Sequence, residues 1–366
     1  MFSCRPARQL IDLAAFQNNI RQVEMLAPDS ELMLVIKADG YGHGLIQLAK
    51  ASCGHDLAVA IPEELEVLLD AKITNRIWVL EGPFGLGCLE RSADANVVWV
   101  IHSLWQLELL RSRKSSSKLK ICLKLDSGMH RLGFDERTLP ICIAELDEMK
   151  CIDLICTMSH FSESEVADSE YVSSQLLCYT EMLEANGLDG HPRSLANSGA
   201  IVLHPQAHHF IVRPGIMLYG ALDYSEHLAP SFKAVMTFES AIMSVRVIAE
   251  GEGVGYGSEW RAERESTIAT ISGGYGDGYP RHAPTGTPVA VRVQNNTLVK
   301  YAPLVGRVSM DMVTIDITEI VEAEVGDKVE FWGRHVSVNE VARLAGTISY
   351  ELLCGVSARV PRTYIG

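Results

Sequence analysis

The chain has 366 residues, of which 47% are hydrophobic, so it can form two ordinary domains with filled cores and is not expected to be disordered. Its 32 basic and 46 acidic residues give a net charge of −14, which disfavours nucleic acid or an anionic membrane surface as the main partner. A small-molecule substrate fits this charge better.

Targeting and cysteine patterns favour a cytoplasmic protein. The N-terminal segment MFSCRPARQLIDLAAF has no apolar region followed by a small-residue cleavage site, and no later apolar run approaches the roughly 20 residues that span a membrane. The nine cysteines form no C-x-x-C pair, and most lie among apolar neighbours. We therefore expect neither disulfide bonds nor a structural metal site.

Up to about residue 230, short apolar β-branched runs alternate with helical periods, a pattern typical of parallel strands joined by helices. Between them, Leu13, Phe16, Ile20 and Val23 recur at helical spacings of three and four. Eight is the number of strands that closes a (β/α)8 TIM-like barrel. The eight predicted strands lie at 32–38, 57–60, 76–80, 97–101, 119–125, 152–160, 192–196 and 210–214.

From about residue 234 the pattern changes to alternating strand-like runs with glycine-rich turns, as in residues 241–257 and 287–296. This change predicts an α/β domain followed by an all-β domain. We place the barrel at residues 12–233. The C-terminal, strand-rich β domain comprises residues 234–366 and also includes residues 1–11.

Polar side chains follow five of the predicted strands at their C-terminal ends. Barrel enzymes place their chemistry on this face. Any one of these residues, taken alone, also fits a solvent-facing strand end, whereas agreement among five strands favours a site. The residues are Lys37, Lys124 with Asp126, His160, Asn197 with Ser198, and Arg213.

A buried lysine at the end of the first barrel strand favours Schiff-base chemistry, because desolvation lowers the amine pKa and frees the nucleophilic form. The glycines after Lys37 let the backbone pass close to a ligand, and Tyr41 can donate to a phosphate. Further along, Arg213 precedes the amides of Gly215 and Ile216 at a strand-to-helix turn, a place that binds anions. A surface ion pair of this arginine is an equally good explanation of that turn alone.

Ten motifs resemble, in order and over nearly the whole chain, those of the bacterial alanine racemases. The resemblance implies a fold-type III enzyme that uses pyridoxal 5′-phosphate, with an N-terminal barrel, a C-terminal β domain and a homodimer with shared active sites. The motifs are VIKADGYGHG (35–44), LKLDSGMHRLGF (123–134), SHF (159–161), ANSGA (196–200), RPGIMLYG (213–220), GYGSEW (255–260), GGYGDGYP (273–280), VGRVSMDM (305–312), TISYELLC (347–354) and SARVPR (357–362).

The resemblance implies two catalytic bases, Lys37, which also binds the cofactor, and Tyr256 from the partner subunit. Arg213 matches the arginine that faces the pyridine nitrogen, and His160 matches a histidine near the tyrosine base and that arginine. The positions that match the family's phosphate-binding residues are Tyr41, Ser198, Gly215, Ile216 and Tyr350.

Substrate-binding and supporting roles are also implied by the resemblance. Arg131 matches the arginine that contacts the cofactor and the substrate carboxylate, and Met310 matches a residue whose main-chain amide binds that carboxylate across subunits. Lys124 matches a lysine that is carbamylated in many members and holds that arginine. Tyr275 and Tyr350 match an aromatic gate over the substrate channel.

The function implied is racemisation of alanine, with Lys37 taking the Cα proton of D-alanine and Tyr256 that of L-alanine. D-Alanine would then be supplied for peptidoglycan or be catabolised, and the sequence leaves both open. A non-catalytic pyridoxal-phosphate carrier would lack the second domain, and a decarboxylase would place an acid where Arg213 stands. A racemase of serine or of another amino acid remains an alternative, because one aromatic shift in the gate could admit a larger side chain.

Overall fold

Eight parallel strands form a closed ring in the first half of the chain. The computed structural model describes residues 4–93, 95–114, 117–223, 231–294 and 296–366. After strand β1 (Arg8–Asp12), the ring consists of β2 (Glu31–Val35), β3 (Asp56–Val59), β4 (Ile77–Val79), β5 (Val97–Ile101), β6 (Leu119–Lys124), β7 (Ile152–Met158), β8 (Arg193–Ser194) and β9 (Ile211–Val212).

Neighbouring strands from β2 to β8 pair in chain order, and β9 pairs in parallel with β2. A parallel bridge between Asn197 and Arg213, with the Arg213 amide donating to the Ala196 carbonyl at 2.8 Å, joins the segments after β8 and β9. The predicted (β/α)8 barrel is therefore confirmed. Residues that directly follow its strands meet at one end of the ring.

Helices cover the outside of the ring. In the first of them Asp12 accepts a hydrogen bond from the Ala15 amide at 2.9 Å, and Phe16, Ile20 and Val23 are buried, as their spacing predicts. Among the described residues, none of the helices is long and apolar enough to cross a membrane. The barrel helices are Leu13–Leu26, Leu45–Lys50, Pro62–Asp70, Leu86–Arg91, Leu104–Arg111, Leu139–Asp147, Glu170–Ala185 and Ser198–Leu203.

The second half of the chain forms the predicted strand-rich domain. Its longest strand, β10 (Met236–Ile248), pairs with β1 through its first half and with β13 (Ser266–Ser272) through its second half, and the second pairing shifts register between Ile242 and Ser244. The strands are β10 (Met236–Ile248), β11 (Gly253–Val254), β12 (Trp260–Arg261), β13 (Ser266–Ser272), β14 (Pro288–Val293), β15 (Leu298–Pro303), β16 (Met312–Asp316), β17 (Lys328–Trp332) and β18 (Arg362–Ile365).

The last segment of the chain returns to the barrel. After β17, the helices Val338–Leu344 and Ser349–Cys354 precede β18, which pairs in parallel with β1. One continuous cluster of buried apolar side chains includes Trp99 of the barrel and Phe331 of the β domain. The helix Ser349–Cys354 thereby brings residues of the second half to the mouth of the barrel.

Candidate active site

A cavity of about 580 Å³ opens at the C-terminal ends of the barrel strands. Its volume is in the usual range for small-molecule sites. Most of the residues selected from the sequence line this one cavity, although they come from six different strands or loops and a C-terminal helix. They are Lys37, Tyr41, Lys124, Arg131, His160, Asn197, Ser198, Arg213, Gly215, Ile216 and Tyr350.

Lys37 stands just after β2, at the start of a turn with an unusual backbone. Ala38, Asp39, Gly40 and Tyr41 have φ angles of 53°, 53°, 64° and 50°. This left-handed conformation costs roughly 1–2 kcal/mol for each non-glycine residue, so the surrounding structure must hold the turn in place. The turn sets both Lys37 and Tyr41 on the cavity wall.

Two lysines of the cavity have amines with depressed pKa values. Burial, and then the positive charge of Arg131, lowers the pKa of Lys37 below its ordinary value. The carboxylates of Glu81 and Glu64 raise this pKa and so offset part of the lowering. Burial, followed by the charge of Arg213, lowers the pKa of Lys124 to about 8. A larger neutral fraction makes each amine a better nucleophile and base.

Arg213 is buried in the cavity wall and donates to uncharged acceptors. One terminal nitrogen reaches the carbonyl and hydroxyl of Ser194 at 2.6 and 2.8 Å, and the other reaches the carbonyls of Ser159 and Leu195 at 2.7 and 3.1 Å. The His160 Nδ1 atom is 3.4 Å away. Burial, followed by the charge of Arg213, holds the pKa of His160 well below 6.5, so its imidazole is neutral.

The predicted anion-binding turn follows β9. The Ser198 hydroxyl accepts from the Gly215 amide at 2.8 Å, so this amide is paired within the chain rather than free. A side chain at Gly215 would place its Cβ 2.9 Å from the Tyr41 hydroxyl and 3.8 Å from the Ser198 hydroxyl. Burial raises the pKa of Tyr41, so its phenol stays a hydrogen-bond donor. Two hydroxyls and a bare backbone here form a cradle suited to a phosphate.

Arg131 reaches the cavity from the loop after β6. The Asp126 carboxylate accepts from the amides of Gly128 and His130 at 3.1 and 2.9 Å and contacts the His130 ring at 3.1 Å. His130 itself has a positive φ of 56°. Asp126 therefore has a structural role, because it fixes the loop that carries Arg131.

Besides Asp126, three residues predicted from the sequence, all in the β domain, do not reach this cavity within the chain. Tyr256, Tyr275 and Met310 lie on the β domain with 69%, 39% and 52% of their surface exposed. The Tyr275 amide donates to the Ser309 carbonyl at 3.0 Å, which keeps Tyr275 beside Met310. A single chain thus carries the cavity and these three residues in separate places.

Residues 11–223 match the family described as alanine racemase, N-terminal domain, and residues 235–364 match alanine racemase, C-terminal domain. The chain belongs to the alanine racemase family. The resemblance identified from the ten motifs is thereby confirmed.

Individual alanine racemases are similar to the chain over its full length. The alanine racemase of Stutzerimonas stutzeri is 41% identical over 99% of this chain and 100% of its own. The catabolic alanine racemase of Pseudomonas putida is 40% identical over 99% of both chains. The solved structure of the biosynthetic alanine racemase from Pseudomonas aeruginosa is also 40% identical, covers 99% of this chain and 100% of its own, and has a TM-score of 0.92. Because the chain is 40% identical to both a catabolic and a biosynthetic alanine racemase, sequence identity does not distinguish a catabolic from a biosynthetic role.

Glu81, Glu165 and Cys354 also line the cavity and were not selected from the sequence. Glu81 follows the predicted strand 76–80 directly, so the strand-end rule that found the other residues would have found it too. Cys354 lies four residues after Tyr350 on one helix and hence on the same face. Glu165 stands in a loop, where no periodic signal marks it.

Proposed function

We propose that this member of the alanine racemase family interconverts L-alanine and D-alanine with pyridoxal 5′-phosphate, and that it works as a homodimer. The observation that carries the proposal is the combination, in one cavity, of a lysine with a lowered pKa, a cradle for a phosphate and a buried guanidinium. A solved alanine racemase from Bartonella henselae, 30% identical over 99% of this chain with a TM-score of 0.88, has pyridoxal phosphate covalently bound.

The residues of the cavity fit this cofactor. Lys37 would hold it covalently, and the hydroxyls of Tyr41 and Ser198 would donate to its phosphate, for which the missing side chain of Gly215 leaves room. Arg213 would face the ring nitrogen, and since a guanidinium always carries its proton, it can only donate there. When bound, the cofactor supplies an electron sink that acidifies the Cα proton of an amino acid.

Racemisation then requires a base on each side of the Cα atom. Lys37, whose amine is neutral more often than that of an ordinary lysine, would exchange the proton on one side. Tyr256 of the partner subunit would exchange it on the other. The cavity that would receive this phenol is lined by Lys124, Arg131 and Arg213, and neighbouring positive charge favours the phenolate form.

Substrate binding is assigned to the same charges. Arg131 would bind the substrate carboxylate, together with the main-chain amide of Met310 from the partner subunit. Lys124, with a pKa of about 8, has a substantial neutral fraction near neutral pH, the form that can react with carbon dioxide to give a carbamate. Such a carbamate would give the cationic cavity a fixed negative charge beside Arg131.

The decisive test uses the purified, cofactor-loaded protein with L-alanine in deuterated buffer. We expect D-alanine to form with one deuterium at Cα, and we expect D-alanine to give deuterated L-alanine in the reverse assay. A parallel assay with L-serine measures the selectivity of the Tyr275 and Tyr350 gate. If neither amino acid exchanged its Cα proton, the proposed function would be wrong.

A further inference from the structure

The left-handed turn after Lys37 depends on a residue outside the turn. Within the turn, the Gly40 amide donates to the Ile36 carbonyl at 2.8 Å, and the Gly42 amide donates to the Ala38 carbonyl at 2.9 Å. The amides of Ala38 and Asp39, which come directly after Lys37, instead donate to a side chain on the next barrel unit. That side chain is Glu64.

Glu64 uses both carboxylate oxygens to connect two barrel units. One oxygen accepts from the Ala38 amide at 2.5 Å and from the Asp39 amide at 3.4 Å, and the other accepts from the Ala60 amide at 2.8 Å. Ala60 follows the end of β3, and Glu64 occupies the first turn of the helix Pro62–Asp70. A carboxylate at a helix N-terminus is also stabilised by the helix dipole, which helps to keep Glu64 ionised and in place.

We propose that Glu64 is a positioning residue for Lys37, because it anchors the backbone of the left-handed turn to the end of β3 and so fixes where the lysine amine meets the cofactor. The inference rests on the proposed function and adds to it a residue that does not itself line the cavity. Asp39 anchors the far side of the same turn, since its carboxylate accepts from the Leu45 amide at 2.8 Å and from Arg362 at 2.5 Å.

A role through charge alone would give a different pattern of variant effects. The carboxylate of Glu64 also opposes the lowering of the Lys37 pKa by burial and by Arg131. Glu64→Asp keeps the charge but shortens the side chain, so it loses the reach to the turn. Glu64→Gln keeps the length but not the charge, and its amide group can accept on only one of the two sides. If Glu64 acts by positioning, Glu64→Asp should weaken cofactor attachment more than Glu64→Gln does. If Glu64 acts through its charge alone, Glu64→Gln should weaken attachment more.

The experiment measures cofactor attachment rather than turnover. Full-length protein freed of cofactor is titrated with pyridoxal 5′-phosphate, the visible absorbance of the lysine-bound cofactor gives the dissociation constant, and borohydride reduction with peptide mass spectrometry gives the labelled fraction of Lys37. We expect Glu64→Asp and Glu64→Ala to weaken attachment by about tenfold or more, and Glu64→Gln by less. Glu63→Gln, an exposed change on the same helical turn, should match the wild type.

Hydrogen exchange provides a second readout that needs no cofactor. The amides of Ala38 and Asp39 should exchange faster in Glu64→Asp than in the wild type, while amides of the distant strand β14 should not change. Wild-type attachment and exchange in Glu64→Asp, or a larger loss in Glu64→Gln than in Glu64→Asp, would overturn the inference. Failure of the wild type itself to label Lys37 would instead contradict the proposed function, and the exchange of these two amides would still decide whether Glu64 holds the turn.

Discussion

At the scale of single residues, the cavity concentrates positive charge that the folded chain does not fully neutralise. Lys37, Lys124, Arg131 and Arg213 all line it, and burial is the largest cause of the lowered pKa of three of them. Buried like charges destabilise a fold unless an anion joins them. A ligand with a phosphate and a carboxylate would relieve this repulsion, so the same feature that weakens the empty site favours its ligands.

Lys124 measures the combined cost of burial and repulsion, because burial first, and then the charges of Arg213 and Arg131, lowers its pKa. Its pKa falls from 10.5 to about 8 on folding, which corresponds to a penalty of up to about 3 kcal/mol in the free energy of unfolding. Because the unfolded chain binds the extra proton, this penalty is full below pH 8 and disappears as the pH rises toward 10.5. Lys124→Met should therefore stabilise the cofactor-free protein at pH 7, with a gain that shrinks above pH 8.

Denaturant unfolding across this pH range, in buffer freed of carbon dioxide, measures the gain. Carbon dioxide is excluded because a carbamate on Lys124 would replace the positive charge by a negative one. Lys118→Met, at an exposed position near the start of the same strand, is the control and should show no such pH dependence. If the gain in the free energy of unfolding were absent, or stayed constant up to pH 10.5, folding would not lower the pKa of Lys124.

At the scale of elements, the strand ends were predictable and the contacts between loops were not. Lys37, His160 and Arg213 could be found because each directly follows an apolar β-branched run, and barrel geometry brings such ends together. Glu64 could not be found from the sequence, because the helix dipole alone explains a glutamate in the first turn of a helix. Its contact with the Ala38 amide arises from the left-handed backbone after Lys37, and that backbone includes three residues other than glycine, which rarely adopt it.

A second contact of this kind lies on the helix Glu170–Ala185. The buried Gln175 side chain accepts from the Ser162 amide at 3.0 Å and donates to the His160 carbonyl at 3.1 Å. It also packs against the loop that carries Arg131, since a Cβ at Gly128 would lie 3.2 Å from the Gln175 Cγ atom. One side chain is thus hydrogen-bonded to one loop of the candidate site and lies close to another, whereas the sequence shows only a polar residue on a helical face.

Gln175→Leu keeps the approximate size of the side chain but leaves the Ser162 amide and the His160 carbonyl without this partner. We expect a loss of about 1–3 kcal/mol in the free energy of unfolding and a lower kcat, because the segment that carries His160 loses the hydrogen bonds that fix it. Denaturant unfolding and racemisation kinetics measure the two effects. Ser174→Ala, at the exposed neighbouring position, should change neither quantity. An unchanged kcat in Gln175→Leu would show that His160 keeps its position without the hydrogen bonds of Gln175.

At the scale of the whole molecule, the cavity and the predicted second base do not form one site within a single chain. Tyr256, Tyr275 and Met310 lie exposed on the β domain, while Lys37 lies in the barrel cavity. The sequence placed all four in one site only through the family resemblance, because no pattern within a single chain encodes which surface meets a partner. A two-fold dimer would form two complete sites, because the β domain of each subunit would then bring its Tyr256 to the barrel cavity of the other subunit.

Mixing two inactive variants tests this arrangement. Lys37→Ala removes the base of the barrel cavity, and Tyr256→Phe removes the base of the β domain, so each homodimer should be inactive in the racemisation assay. After subunit exchange at equal amounts, half of the dimers should be heterodimers in which one site combines an intact Lys37 with an intact Tyr256. Activity should return to about a quarter of the wild-type value per chain, as random pairing of two-fold dimers requires. Recovery should be absent when either variant is mixed with itself. If the mixed sample also stayed inactive although mass spectrometry showed heterodimers, the two bases would not be shared between subunits, and Tyr256 would have to act in a site that this chain forms alone.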